Sequence, residues 1–311
     1  MASLKTSNLR MTPVEWLLLV ILGGCWGCTF FFNEIALEGV PPFAVILFRV
    51  AVASVILWGV VYVRGVFVPC EPKVWWSIAV MAAINSALPF FLIAWGQVHI
   101  TGGLASILIA TSPLFAVVAA HYYTQDEGLT PGKVIGVLSG LVGVVFLLGP
   151  ELLGDIGRDF VAQLAVLGAA ISYAGSALYG RRFAAMGVPP MVMATGQMTM
   201  STVLLAPFAL VVAQPWNIAM PDGTVWAALI GLATVSTAFA YLIYFRILHN
   251  AGAINILLVN FLVPVSALLL GIFVLGETLT VEQAIGLGFI AAGLALIDGR
   301  ILDRLPQRST Y

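Results

Sequence analysis

Gly39-Val40-Pro41-Pro42 recurs 148 residues later as Gly187-Val188-Pro189-Pro190. Each copy interrupts two long apolar runs at the same place in its half of the chain. A second set of matches lies at an offset of 150: Gly102 with Gly252, Leu108 with Leu258, Glu127 with Glu277, Leu129-Thr130 with Leu279-Thr280, Gly136 with Gly286 and Gly143 with Gly293. Pro113 pairs with Pro264 after a slip of one residue. Apolar helices share identities by chance, but here the loop motifs match in order and in place. The chain therefore reads as two five-helix units, residues 1–150 and 151–311. Five is odd, so the second unit enters a membrane from the opposite side to the first.

Composition carries the membrane reading. Of the 311 residues, 61% are hydrophobic and 9% charged, and mean hydropathy is +1.06. A soluble domain has about 45–50% apolar and 25% charged residues. This chain cannot cover a globular surface with polar groups, which excludes a soluble enzyme and an intrinsically disordered chain. The apolar runs fall at 14–33, 42–63, 74–98, 101–123, 131–149, 161–180, 190–212, 224–248, 253–274 and 281–298. A spanning helix needs about 20 apolar residues, so the sequence predicts an all-α integral membrane protein with ten transmembrane helices. The runs are too long and continuous for the alternating ten-residue strands of a membrane β-barrel. The first run contains Glu15 and is not followed by a small-x-small cleavage site, so it reads as a span and not as a signal peptide.

Charge placement fixes the expected orientation. With ten spans, both termini share one side. That side receives Lys5, Arg10, Arg64, Lys73, Lys133, Arg181, Arg182, Arg246, Arg300, Arg304 and Arg308, while the other receives Arg158 and the run 42–63 holds Arg49. The positive-inside rule then gives N-in and C-in. A net charge of −1, with no basic run longer than Arg181-Arg182, removes nucleic acid as a partner. The partners implied are a small-molecule substrate and a lipid bilayer, and the sequence sets no oligomeric state.

Inverted repeats are a transporter architecture, with substrate held near the midplane between the repeats. The plainer alternative is duplication within a structural membrane protein. The residues also resemble a known family. Trp26-Gly27, then Pro41-Pro42 and Arg49, then Gly103-Leu104-Ala105-Ser106 through Ser112-Pro113-Leu114 are similar to the EamA-type module of the drug/metabolite transporter superfamily. The second half adds Ala251-Gly252-Ala253, Pro264-Val265, Leu275-Gly276-Glu277-Thr278-Leu279-Thr280 and Gly286. The stretch His121-Tyr122-Tyr123-Thr124-Gln125-Asp126 ahead of Glu127 departs from that pattern. The resemblance covers nearly the whole chain. It implies a ten-helix exporter of amino acids, other metabolites or toxic compounds in the bacterial inner membrane, with no cofactor and no metal.

Candidate substrate-binding residues are polar or amphipathic side chains sharing a helix face, because such groups are costly against lipid. The run 224–248 offers Thr237 and Tyr241, in a stripe with Thr234 and Tyr244. The run 161–180 offers Ser172 and Tyr179, with Ser176 between them; the run 74–98 offers Asn85 and Trp95. Trp26 leads a face with Thr29 and Asn33. Ser106 stands opposite Asn260 by the repeat, beside Pro113 and Pro264, which read as hinges or as static kinks. The serines and threonines have an alternative role, bonding carbonyls of their own helix or joining helices.

Arg49 lies deep in an apolar run. It reads either as an anion or carboxylate contact or as a structural ion pair or partner of helix-end carbonyls, and the second is favoured because the resemblance implies that the second helix lies outside the cavity. Gln197, its counterpart at offset 148, carries no charge, which argues against a symmetric site. No Asp or Glu lies near the middle of a span, so coupling through an intramembrane carboxylate is not expected. The motif Cys25-Trp26-Gly27-Cys28 stands inside an apolar helix with no second pair, and the cysteines read as small hydrophobes. Gly132, Gly136 and Gly140 read as a seam for close helix packing. No hydrolase or zinc-protease motif is present, so no catalytic residue is assigned. The lining lacks the Lys and Arg cluster expected for phosphates. The sequence therefore favours export of small metabolites, best of all aromatic or small neutral amino acids, by alternating access. Multidrug efflux is the alternative, and a membrane scaffold a third.

Overall fold

The computed structural model describes residues 12–123, 131–148, 158–251, 253–256 and 258–298. Lys5, Arg10, Glu127, Leu129-Thr130, Gly252 and the three arginines after residue 299 lie outside the described residues, as do residues 124–126 of the stretch that departs from the family pattern.

Proline and glycine set the helix ends. Proline has no N–H to lose at a first helical position, and its fixed φ suits that position. Accordingly α1 (Pro13–Leu37), α2 (Pro42–Val63), α3 (Pro72–Ala82) and, later, α7 (Pro131–Leu148) and α9 (Pro190–Phe208) all begin on proline. The chain between runs on through α4 (Leu88–Gly96), α5 (Gly102–Ile109), α6 (Ser112–Tyr123) and α8 (Arg158–Ala185). It ends through α10 (Gly223–Ala233), α11 (Ala240–Ala251), α12 (Ala253–Ile256), α13 (Val259–Leu270) and α14 (Val281–Asp298). Thr101 caps α5 by accepting from the Leu104 N–H at 3.3 Å, and Asp222 caps α10 by accepting from the Val225 N–H at 2.9 Å.

The two Gly-Val-Pro-Pro copies use their glycines differently. Gly187 takes φ +65° and lets Val188 N–H reach back to the Phe183 carbonyl, a left-handed termination of α8. Gly39 stays at negative φ; a Cβ there would meet Val225 at 3.3 Å, so its small size serves packing against α10.

Within the described residues each of the ten apolar runs is helical over most of its length. Among the described residues, seven helices are long and apolar enough to cross a membrane: Pro13–Leu37, Pro42–Val63, Pro72–Gly96, Gly102–Tyr122, Asp159–Ala185, Pro190–Ala213 and Gly223–Leu248. Three shorter apolar helices, Val134–Phe146, Val259–Leu275 and Val281–Ile297, complete the set. The described residues contain no strand. A helix of 25 residues is about 37 Å long, against about 30 Å of hydrocarbon.

Glycines set the closest approaches. A Cβ on Gly136 would stand 2.6 Å from the Gly293 carbonyl oxygen, and one on Gly143 would stand 2.7 Å from that of Gly286. Rising numbers on α7 meet falling numbers on α14, so the two helices pack antiparallel. The seam expected at Gly136 and Gly140 is real, with Gly140 against Leu114. In the same way Gly23 of α1 faces Leu262 of α13, and Ser266 Oγ donates to the Gly23 carbonyl at 2.8 Å.

Candidate functional site

Two of the long helical runs contain a π-helical turn at mid-length, at Ala83–Ala87 between α3 and α4 and at Thr234–Phe239 between α10 and α11. A π turn inserts a residue into the helical ladder, re-aims side chains and leaves carbonyls short of their usual donors. Neighbouring hydroxyls take up those carbonyls. Ser172 Oγ of α8 donates to the Ile84 carbonyl at 2.6 Å, and Thr237 Oγ1 donates to the Leu232 carbonyl at 2.8 Å. Asn85 from one turn and Ser236 from the other face a common cavity.

The cavity measures about 350 Å³, within the range of small-molecule sites. One wall is aromatic. Trp26 and Tyr244 have ring centroids 5.8 Å apart, Tyr241 stacks on Phe245 at 5.9 Å, and Phe245 meets Tyr244 edge-on at 5.4 Å. Neutral polar groups interrupt it: Thr29, Ser106, Ser112, Ser176, Asn85, Gln197, Ser236 and Asn260. Ser176 Oγ lies 2.6 Å from Asn85 Oδ1, which holds the amide in place. Gln197 donates from Nε2 to Ser86 Oγ and, at 3.3 Å, to the Tyr241 hydroxyl. Its Oε1 is buried without a partner, as is Ser236 Oγ.

Among the described residues Arg49 is the one charged side chain of the lining, and it is 4% exposed. Its Nε donates to Thr237 Oγ1 at 2.8 Å, and its guanidinium carbon lies 3.8 Å from the centre of the Phe90 ring. No carboxylate among the described residues pairs with it. The expectation of a structural ion pair outside the cavity is therefore corrected. α2 packs along α9 and the 234–239 turn, which brings the guanidinium inward instead of leaving it at the periphery. Gln197, read as evidence against a symmetric site, lines the same cavity as its counterpart Arg49.

Of the residues expected from the sequence, Trp26, Asn85, Ser106, Tyr241 and Asn260 line the cavity. Four do not. Thr237 lies behind Arg49 and orients it. Ser172 is engaged by the 83–87 turn. Trp95 packs into the cluster around Leu104 and Ala162 and meets His99 edge-on. Tyr179 carries the Arg182 guanidinium on its ring at 3.8 Å. Asn33 is also elsewhere, donating to Gln97 Oε1 at 3.0 Å. Helical spacing placed these residues on shared faces but not the depth at which the cavity sits. Pro264 lines the cavity within α13, whereas Pro113 opens α6 just after the α5–α6 break.

A second polar cluster lies where α1, α5 and the loop after α13 meet. Glu34 Oε2 accepts from the Gly102 N–H at 2.9 Å, and Glu277 accepts from the Gly103 N–H at 3.2 Å. A Cβ on Gly103 or on Gly271 would come within 2.5 Å of Glu277 Oε2, so both glycines admit the carboxyl. Burial, then the neighbouring charge of Glu34, then a hydrogen bond shared with Glu34 push the Glu277 carboxyl up to about 7. Only the motif around Glu277 was visible in the sequence; its meeting with Glu34 spans the two halves.

Comparison with known proteins agrees with this architecture. The EamA-like transporter family matches twice, over residues 14–149 and 161–298. The uncharacterized transporter YoaV of Bacillus subtilis is 23% identical over 269 residues, 86% of this chain and 91% of its own. The uncharacterized inner membrane transporter YedA of Escherichia coli K12 is 26% identical over 283 residues, 88% of this chain and 86% of its own. Protein PecM of Dickeya dadantii is 24% identical over 278 residues, 88% of each chain. A crystal structure at 21% identity superposes with a TM-score of 0.69, covering 94% of this chain and 99% of its own, and shares the fold. With both family matches spanning most of its length, this multi-pass membrane chain belongs to the EamA-like transporter family.

Proposed function

We propose that the protein exports small metabolites, aromatic or small neutral amino acids first among them, across the bacterial inner membrane by alternating access. The carrying observation is the cavity of about 350 Å³, walled by aromatic rings and neutral polar groups drawn from both halves of the chain. In this reading ten helices form two inverted five-helix repeats, 1–150 and 151–311, with both termini cytoplasmic. The double family match and the antiparallel glycine contacts of α7 and α14 support it. Trp26, Asn85, Ser106, Tyr241 and Asn260 touch substrate, while Thr237 acts through Arg49. Pro113 and Pro264 mark the segments that move. Efflux of cationic drugs is the weaker reading, because Arg49 would repel them.

The test is uptake of a labelled amino-acid panel, aromatic and hydroxyl-bearing, into proteoliposomes of the purified protein. Saturable uptake that Tyr241→Ala abolishes is the expected result. An empty panel alongside saturable uptake of a cationic drug would overturn the amino-acid reading. Wild-type rates equal to those of protein-free liposomes for every solute would overturn transport.

A further inference from the structure

Resting on the transport part of that reading, and replacing its free amino acids with a narrower class, we infer that Arg49 is the anchor for a carboxylate on the transported solute, and that the cavity selects net-anionic monocarboxylates with an aromatic or apolar body. A buried charge is costly unless paired and hydrogen-bonded. Arg49 is nearly fully buried, yet among the described residues it makes one side-chain hydrogen bond, to a hydroxyl, and lies on one aromatic face, with the phenols of Tyr173 and Tyr241 as neighbours. Thr237 engages Nε, the Phe90 ring covers one face of the guanidinium, and the two terminal amino groups are left for a ligand. Their fork matches a carboxylate bidentately.

The remaining lining narrows the class. Among the described residues no acidic side chain lines the cavity, so none of them balances the ammonium of a free amino acid. A solute whose amine is acylated brings the carboxylate without that unmatched cation. The unpartnered Gln197 Oε1 then accepts its amide N–H, and the unpartnered Ser236 Oγ donates to its carbonyl. A single guanidinium with no lysine beside it suits one negative charge and not a phosphate. The aromatic wall of Trp26, Tyr241, Tyr244 and Phe245 takes the body of the solute.

Three labelled probes that share the phenylalanine body test this: N-acetylphenylalanine (net −1), phenylalanine (zwitterion) and phenylalaninamide (net +1). Binding to detergent-purified protein is measured by equilibrium dialysis, and uptake in proteoliposomes is measured separately. Wild type is expected to bind N-acetylphenylalanine more tightly than phenylalanine and roughly 10–100-fold more tightly than phenylalaninamide, the range for a charge-assisted bidentate contact. Arg49→Gln should erase that ranking, Arg49→Lys should keep the order with weaker binding, and Thr237→Ala should fall between wild type and Arg49→Gln. A merely structural arginine would lower binding of all three probes together. Equal wild-type affinities, no wild-type binding of N-acetylphenylalanine, or an unchanged ranking in a well-folded Arg49→Gln protein would each overturn the anchor. Arg49-dependent binding without uptake would uphold the anchor and overturn transport.

Discussion

Ser139 donates its hydroxyl to the backbone carbonyl of Phe289 at 2.9 Å, and the two positions are 150 residues apart. That is the offset relating Gly136 to Gly286 and Gly143 to Gly293. The glycine contacts run crosswise, 136 to 293 and 143 to 286. A patch in which residue i meets the counterpart of j, and j the counterpart of i, is self-complementary about a two-fold axis. A residue that touches its own counterpart lies beside that axis. The α7–α14 contact therefore has the geometry that the proposed inverted arrangement requires.

Substitution at this seam should cost stability out of proportion to its size. Gly136→Ala places a methyl against a backbone oxygen that cannot rotate away. Overpacking of this kind costs about 1–3 kcal/mol, and the midpoint of thermal unfolding in detergent should fall accordingly. Gly24→Ala meets nothing within 4 Å and should leave the midpoint level or slightly higher, since alanine favours helix over glycine. Equal shifts for the two variants would mean that the seam is not closely packed.

Cavity position predicts chemical access. In a background with Cys25, Cys28 and Cys70 replaced by alanine, Asn85→Cys and Tyr241→Cys should react with a small water-soluble thiol reagent. Transported solute should slow both reactions. Trp95→Cys and Ser172→Cys should stay unreactive, because their side chains face packed neighbours and the 83–87 turn. Rapid labelling of Trp95→Cys would move the cavity toward α4 and away from the lining described above. Silence at both Asn85→Cys and Tyr241→Cys, from either side of the membrane, is what a scaffold would give.

These cysteine pairs also mark how far the sequence could be read. Apolar run length located the seven long apolar helices and the three shorter ones among the described residues, because a bilayer demands a minimum length of apolar helix whatever the packing partner. Helical spacing grouped polar residues by face, but two π turns shift that spacing by one residue, and no residue type announces them. Thr237 thus turns to Arg49, and Ser236 takes the place beside the cavity. Arg49 itself was visible as an outlier. Its direction depends on which helix packs over it, a long-range property set by α9 and the 234–239 turn.

Aromatic side chains of the wall should differ in what they contribute. Tyr241 offers both a ring stacked on Phe245 and a hydroxyl that accepts from Gln197. Tyr241→Phe keeps the ring, so its binding loss should be small, about the 0.5–1.5 kcal/mol of one neutral hydrogen bond. Tyr241→Ala removes the ring and opens the wall, with a loss of binding several-fold larger. Equal effects in equilibrium dialysis would show that the hydroxyl, not the ring, is the contact.

The Glu34–Glu277 pair should make stability depend on pH with a definite sign. The folded protein holds the Glu277 proton up to about 7, against 4.5 for an ordinary glutamate. Between those values the native state binds more protons than the unfolded chain, so stability falls as pH rises. The contribution is complete below about 4.5 and is lost as pH passes through about 7. Protonation of Glu277 removes its like-charge repulsion with Glu34 where the two carboxyls meet at Gly102 and Gly103. Glu277→Gln keeps a neutral donor at that place at every pH. Its unfolding midpoint between pH 5 and pH 8 should be flatter than that of wild type and higher at pH 8. Gly103→Ala should do the reverse, pushing the carboxyl off the backbone N–H and lowering the midpoint across the whole range. Parallel pH profiles for wild type and Glu277→Gln would mean that Glu277 does not hold its proton in this range, and the closeness of the pair would then need another source of compensation.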